Sequence, residues 1–137
     1  MAHARFVAEV LTPEGEVFNE EVEMLSTRTS LGLVGLLANH SPLLARLEPT
    51  ELRLYRSDSD IVRFAQAEGY VQMAGTHALL LIEEAIDPAS LDRRALERQR
   101  DEARHVADVA EPNSEEAAVA RRDIRRAEAY LQIVDAR

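Results

Sequence analysis

Residues 78–96 read Ala78-Leu79-Leu80-Leu81-Ile82-Glu83-Glu84-Ala85-Ile86-Asp87-Pro88-Ala89-Ser90-Leu91-Asp92-Arg93-Arg94-Ala95-Leu96, and the pattern of the chain changes inside that stretch. Upstream, apolar residues come in short runs and alternations suited to strands; downstream they recur every three or four residues, the period of a helix. Asp87 can accept the first free amides of a helix and Pro88 suits its first turn, so the spacing predicts a helix opening at Asp87-Pro88. All five glycines (Gly15, Gly32, Gly35, Gly69, Gly75) precede that point, as expected if turns lie before it and helices after it. Charge shifts there too: residues 1–86 hold 6 arginines against 13 acidic residues, whereas residues 87–137 hold 10 against 12, together with 11 alanines. The expected organisation is α+β, with a β unit over residues 1–86 and an α unit over residues 87–137.

Short strands fill the first unit. Phe6, Ala8 and Val10 alternate with Val7, Glu9 and Leu11, and Pro13-Glu14-Gly15 supplies a turn. Val22 and Met24 alternate with Glu21 and Glu23, which predicts one half-buried strand across those positions. Leu52 and Leu54 repeat the pattern, and the polar tip Ser57-Asp58-Ser59-Asp60 returns the chain into residues 61–66. Residues 70–73 and 78–82 flank Ala74-Gly75-Thr76, a further hairpin signal. Closely spaced strands with tight turns predict an antiparallel β-sandwich.

In the second unit Leu96, Gln99, Ala103, Val106 and Ala110 follow at helical spacing, and Glu111-Pro112-Asn113 breaks the run. Asn113, with Glu116 three residues on, predicts the cap of a second helix carrying Ala117, Ala120, Ile124, Ala127, Leu131 and Val134 on one face. Two narrow stripes and a short turn predict an antiparallel helical hairpin. The stripes are mostly alanine. A methyl-sized group contributes only about 0.8 kcal/mol on burial, against about 1.5–3 for a leucine, so the hairpin reads as weakly held and detachable.

Composition narrows the function. A net charge of -9 opposes binding to phosphate backbones and anionic lipid, so no nucleic-acid partner is expected. Cysteine is absent, which removes thiol nucleophiles and thiolate metal sites. Residues 1–10 carry His3 and Arg5 and no apolar core of a signal peptide, and no run approaches a membrane helix. Gly32-Leu33-Val34-Gly35 lacks the spacing and lysine of a phosphate loop, and no Gly-x-Ser-x-Gly elbow exists. His3, His40, His77 and His105 are scattered, so no metal site is expected. Glu83-Glu84 would point to opposite faces of a strand and do not make an acid–base pair. Arg93-Arg94 and Arg121-Arg122 with Arg125-Arg126 are interleaved with acids at helical spacing, which is the pattern of a salt-bridged surface. No catalytic residues are expected.

The whole pattern nevertheless resembles the epsilon chain of the rotary F-type ATP synthase. Residues 32–44, Gly-Leu-Val-Gly-Leu-Leu-Ala-Asn-His-Ser-Pro-Leu-Leu, are similar to that family's Gly-x-x-Gly-[Ile/Leu] run ending in His-x-Pro-Leu. Ala67-Glu68-Gly69-Tyr70-Val71 looks like its Gly-Gly-aliphatic strand opening, residues 79–85 like its last strand, and Leu91-Asp92 like the start of its hairpin.

The resemblance implies a non-catalytic rotor subunit of a proton-driven enzyme. Its sandwich would bind the gamma chain of the central stalk and the membrane proteolipid ring. Its hairpin would reach the alpha/beta catalytic head and inhibit hydrolysis. Gly32, Leu33, Val34, Gly35, His40, Ser41 and Pro42 are the partner-binding residues it implies, and Asp92, Arg94, Arg122 and Arg126 the regulatory ones. The implied location is the cytoplasmic side of a bacterial inner membrane, peripheral, through the complex.

Three departures stand out. Leu33 replaces a frequent acid, and Ala38-Asn39 replaces a Pro-Gly, which implies a less tight loop. Some members bind ATP through [Ile/Leu]-Asp-x-x-Arg-Ala; here Leu91-Asp92-Arg93-Arg94-Ala95 places the arginine one residue early, about 100° round the helix. No cofactor is implied otherwise, and ATP binding by the hairpin stays open. The competing reading is a stand-alone ligand-binding sandwich with a helical dimerisation tail. That reading predicts a concave pocket, whereas a rotor subunit predicts an exposed apolar patch.

Overall fold

The computed structural model describes residues 3–137; residues 1 and 2, the start of the expected β unit and of the stretch read for a signal peptide, lie outside it. Ten strands come first: β1 (Phe6–Thr12), β2 (Gly15–Val22), β3 (Met24–Thr29), β4 (Gly32–Leu36), β5 (Leu43–Leu47), β6 (Thr50–Tyr55), β7 (Ile61–Gln66), β8 (Gly69–Ala74), β9 (His77–Ile82) and β10 (Ala85–Ile86). Two helices follow, α1 (Arg93–Val109) and α2 (Glu115–Asp135). The chain splits into two compact units, the first ending at Asp87 and the second spanning Pro88–Arg137.

The strands hydrogen-bond in the order β10-β7-β6-β3-β5-β8-β9-β1-β2, with β4 added beside β3. This sheet folds over itself into a β-sandwich whose layers meet on Phe6, Val10, Val22, Leu25, Leu36, Leu47, Leu52, Leu54, Val71, Met73 and Leu80, all buried. The alternation of β1, β6 and β8 places these side chains inward and their neighbours outward, as the period of two requires. One ladder departs from the antiparallel rule. β1 pairs with β9 in parallel, from Val7 opposite His77 to Leu11 opposite Leu81.

The single strand expected across Val22 and Met24 is two strands, β2 and β3, separated by a bend at Glu23. The Glu23 amide donates to the Tyr55 carbonyl (2.7 Å), and its buried carboxylate faces Arg5 (3.7 Å). Alternation shifts phase there, so that Val22 and Leu25, not Val22 and Met24, enter the core.

A buried polar bridge ties β3 to β7. The Thr27 hydroxyl donates to Gln66 Oε1 (2.6 Å), and Gln66 Nε2 donates to the Glu48 carbonyl (2.9 Å). Gln66→Leu leaves Thr27 and the Glu48 carbonyl without this partner, so we expect a loss of about 1–3 kcal/mol. Urea unfolding checks this as a lowered midpoint at unchanged slope. Adding Thr27→Val should recover part of the loss, because both ends of one bond are then apolar.

Both helix starts lie downstream of their expected positions. Pro88–Ser90 forms a 3₁₀ turn, closed by the Leu91 amide donating to the Pro88 carbonyl (3.2 Å). Asp92, not Asp87, caps α1, its Oδ1 accepting from the amides of Arg94 (3.0 Å) and Ala95 (3.5 Å). Ser114, not Asn113, caps α2: its Oγ accepts from the Ala117 amide (3.1 Å) and donates to the Glu111 carbonyl (2.7 Å). The hydroxyl closes the turn and the cap together.

Within the second unit the helices pack antiparallel, with Leu96, Ala103, Ala117, Ala120, Ala127 and Leu131 buried and Gln99 exposed. Tyr130 and Ile133 are buried as well, outside the stripe read from the spacing. Arg93 pairs with Asp135 and Arg104 with Glu128 (3.6 Å), so the start of α1 lies level with the end of α2.

Candidate functional site

Two stretches of surface stand out on the sandwich. The first is the β3–β4 hairpin, in register from Thr29 opposite Gly32 to Leu25 opposite Leu36. Thr29 Oγ1 accepts from the Leu31 amide (3.1 Å) and donates to the Gly32 carbonyl (3.2 Å), while the Ser30 amide reaches the Arg46 carbonyl (3.0 Å). Gly32 has φ +123°, a conformation that a side chain would strain. The turn is thus held from both sides, and it lifts Leu31 (97 % exposed) and Leu33 (70 %) into solvent. Val34 turns inward against the core, and Gly35 lies outward.

Residues 37–42 form the loop out of β4. Asn39 takes φ +63°, the left-handed conformation that asparagine tolerates. Its amide donates to the Gly75 carbonyl (2.9 Å), and the His40 amide donates to the Leu37 carbonyl (3.2 Å). The loop is therefore a closed turn pinned to the β8–β9 connection, not the less tight loop expected from Ala38-Asn39, because Asn39 takes up the left-handed conformation itself. His40 Nδ1 donates to the Ser41 carbonyl (2.7 Å), and Ser41 and Pro42 are exposed.

The second surface was not legible from spacing alone. On β5, β8 and β9, Leu44 (74 % exposed), Tyr70 (54 %) and Leu81 (47 %) face outward. Tyr70 lies opposite Leu81, and Leu81 opposite Leu11, so an apolar row crosses β8, β9 and β1 in register, while Leu44 stands on the same face opposite Gln72, one diagonal step from Tyr70. One sequence signal was available. Residues 78–82 are apolar without a break, and a strand that buries one face needs only alternate apolar positions.

The four hairpin candidates do not converge. Asp92 and Arg94 stand at the start of α1, level with Asp135 because Arg93 pairs with it. Arg126 lies nine residues before Asp135, about 14 Å along the axis at 1.5 Å per residue, and Arg122 lies a turn further. Arg122 is paired with Asp123 (2.9 Å). Arg126 is half-buried. Among the described residues no group of three or more His, Asp or Glu side chains is placed to hold a metal ion.

The comparisons with known proteins bear on the sandwich first. The family model described as ATP synthase, Delta/Epsilon chain, beta-sandwich domain matches residues 5–88. The ATP synthase epsilon chain of Persephonella marina is 34% identical over 96 residues, 70% of this chain and 71% of the relative. The chain belongs to the ATP synthase epsilon-chain family. The likeness extends into the hairpin: the epsilon chain of Magnetococcus marinus is 28% identical over 127 residues, 93% of this chain and 92% of that one. A chain in the Euglena gracilis mitochondrial ATP synthase structure (OSCP/F1/c-ring) superposes with a TM-score of 0.84 at 17% identity, covering 98% of this chain and 84% of that one. A chain from the central stalk/c-ring structure of the Tetrahymena thermophila enzyme does so at 0.62 and 15%, covering 99% and 98%. At those identities the structures speak for the fold. As a member of this family the chain is a non-catalytic subunit of ATP synthase.

Proposed function

We propose that the chain is a central-stalk subunit of a proton-driven ATP synthase, and that its sandwich joins the gamma chain to the membrane proteolipid ring. The observation that carries this reading is the solvent-facing apolar surface on a well-packed unit: Leu31 and Leu33 at the hairpin tip, and Leu44, Tyr70 and Leu81 across the sheet. Leaving such side chains in water is unfavourable by about 25 cal/mol per Å² of apolar area, so a neighbouring subunit gains by covering them. The tip formed by Gly32, Leu33, Val34 and Gly35, with His40, Ser41 and Pro42 in the next turn, is assigned to the ring and the base of the gamma chain. The wider surface of Leu44, Tyr70 and Leu81 is assigned to the gamma chain.

In this reading the hairpin is a contact element for the alpha/beta catalytic head that slows hydrolysis, with Arg122 and Arg126 toward its carboxylates. It is not proposed as a nucleotide site, since Asp92 is engaged in capping and lies far from Arg126. The proposal involves no cofactor. The place of action is the cytoplasmic side of a bacterial inner membrane, held there by the complex; no helix among the described residues is long and apolar enough to cross it.

Affinity capture from detergent-solubilised membranes tests the assignment. Recovery of the gamma chain and ring supports it, and recovery of the chain alone favours the ligand-binding alternative. Leu33→Arg refines it. On a free surface the substitution costs nothing, but in an interface it desolvates an unpaired guanidinium. We expect unchanged thermal melting and retention weakened about tenfold or more; undiminished retention at moderate salt takes Leu33 out of the interface.

A further inference from the structure

The outer face of the other layer, formed by β7, β6, β3 and β4, carries an arrangement that the isolated chain does not explain. One cross-strand row reads Arg63, Arg53, Ser26, Gly35, since Arg53 lies opposite Arg63, Ser26 opposite Arg53, and Gly35 opposite Ser26. Like charges directly opposite one another on a sheet are unfavourable. Here a single carboxylate oxygen, Glu51 Oε1, meets both guanidiniums, at 2.7 Å from Arg53 Nε and 3.6 Å from Arg63 Nε. Arg28, two residues beyond Ser26 on the same face, adds a third cation beside Leu33. Three arginines against one glutamate make this a basic face on a chain of net charge -9.

The other end of the row is bare, and nothing within the fold requires it to be. Gly15, Gly32 and Gly75 have positive φ, and Gly69 is crowded by the backbone of β9. Gly35 has neither constraint: a Cβ there would meet only Met24 Sδ, at an ordinary 3.8 Å. A strand glycine with room for a side chain marks a place where another chain comes close.

We propose that this face is a second docking site, which takes an acidic segment of another subunit of the complex, with carboxylates at Arg53 and Arg63 and main chain or small side chains over Ser26 and Gly35. The inference rests on the subunit reading above but concerns a different face from the Leu44–Tyr70–Leu81 surface. The register fixes the spacing the partner must offer. Strands lie about 4.8 Å apart, so the carboxylate over Arg53 sits about 10 Å, and that over Arg63 about 14 Å, from the point of closest approach at Gly35.

The test uses the full chain and ATP synthase complex stripped of it, measuring rebinding affinity between low and high salt. Wild type should bind and weaken as salt rises. Arg53→Glu with Arg63→Glu should weaken binding about tenfold or more and flatten the salt dependence, and the paired lysine variants should retain most of it. Arg53→Gln with Arg63→Gln, which removes the charges without reversing them, should weaken binding severalfold at unchanged melting temperature, which keeps the test decisive if the charge-reversed chain folds poorly. Rebinding by the Glu pair and by the Gln pair within about twofold of wild type, while Leu44→Arg still weakens it, overturns this inference and leaves the subunit reading standing. A wild-type chain that does not rebind overturns both. Self-association of the free chain that disappears in the same variants makes the occupant a second copy and likewise overturns the proposal.

Discussion

Replacing Gly69 by alanine is expected to unfold the sandwich or lower its melting temperature by about 10 °C or more, an effect of about 3 kcal/mol. A Cβ at this position would lie 2.0 Å from the Leu81 carbonyl oxygen and 2.8 Å from the Ile82 Cα. Both are main-chain atoms of β9, and Gly69 pairs directly with Ile82, so relief requires the β8–β9 ladder to open at that end. The same ladder carries Leu80 and Ile82 into the core and presents Tyr70 and Leu81 on the outer row. Stability and partner binding should fall together. Thermal melting beside Gly35→Ala separates crowding from mere loss of a glycine, because Gly35 has space and Gly69 does not. A Gly69→Ala chain melting within about 2 °C of wild type contradicts the packing described here.

Removing every residue after Asp87 is expected to leave the sandwich folded and ATP synthesis supported, and to raise ATP hydrolysis by the complex about fivefold or more. The first half follows from the core. Every member of the buried apolar cluster, from Phe6 to Ile82, comes before the cut. The second half follows from the proposed inhibitory role, since a coupling free energy of about 1–3 kcal/mol corresponds to about 5–150-fold. Melting and hydrolysis measured on full-length and truncated complexes decide the two halves independently. An unfolded truncated chain shows that the sandwich depends on the hairpin; a folded one with unchanged hydrolysis removes the inhibitory role.

The strands with clean alternation, such as β6 with Leu52 and Leu54 inward, were legible because burial on one face leaves a period of two in the residues themselves. The bend at Glu23 was not. A phase change needs only one extra buried residue, and what holds it, the Tyr55 carbonyl, is 32 residues away. Capping shows the same limit: Asp87 and Asp92 are equally competent acceptors, and only the turn at Pro88–Ser90 decides between them. At the candidate site, the apolar character of Leu33 could be read directly, but its exposure depends on the Thr29 turn. The Leu44–Tyr70–Leu81 surface and the opposed Arg53 and Arg63 exist only once strands are paired, because each draws its residues from different strands.

The parallel pairing of β1 with β9 bears on how the protein is made. β1 forms its hairpin with β2 by residue 22, but its other edge stays bare until β9 begins, 65 residues after Thr12. At ordinary elongation rates that interval lasts roughly 3–13 s. During it, an apolar strand carrying Phe6, Ala8 and Val10 offers unpaired main chain to any neighbour, the circumstance in which nascent chains pair wrongly. The helices, by contrast, follow one another across a short turn, so each meets its antiparallel partner soon after it is made. Of the ten strands β1 is made before the others, yet it is among the last to acquire both its neighbours.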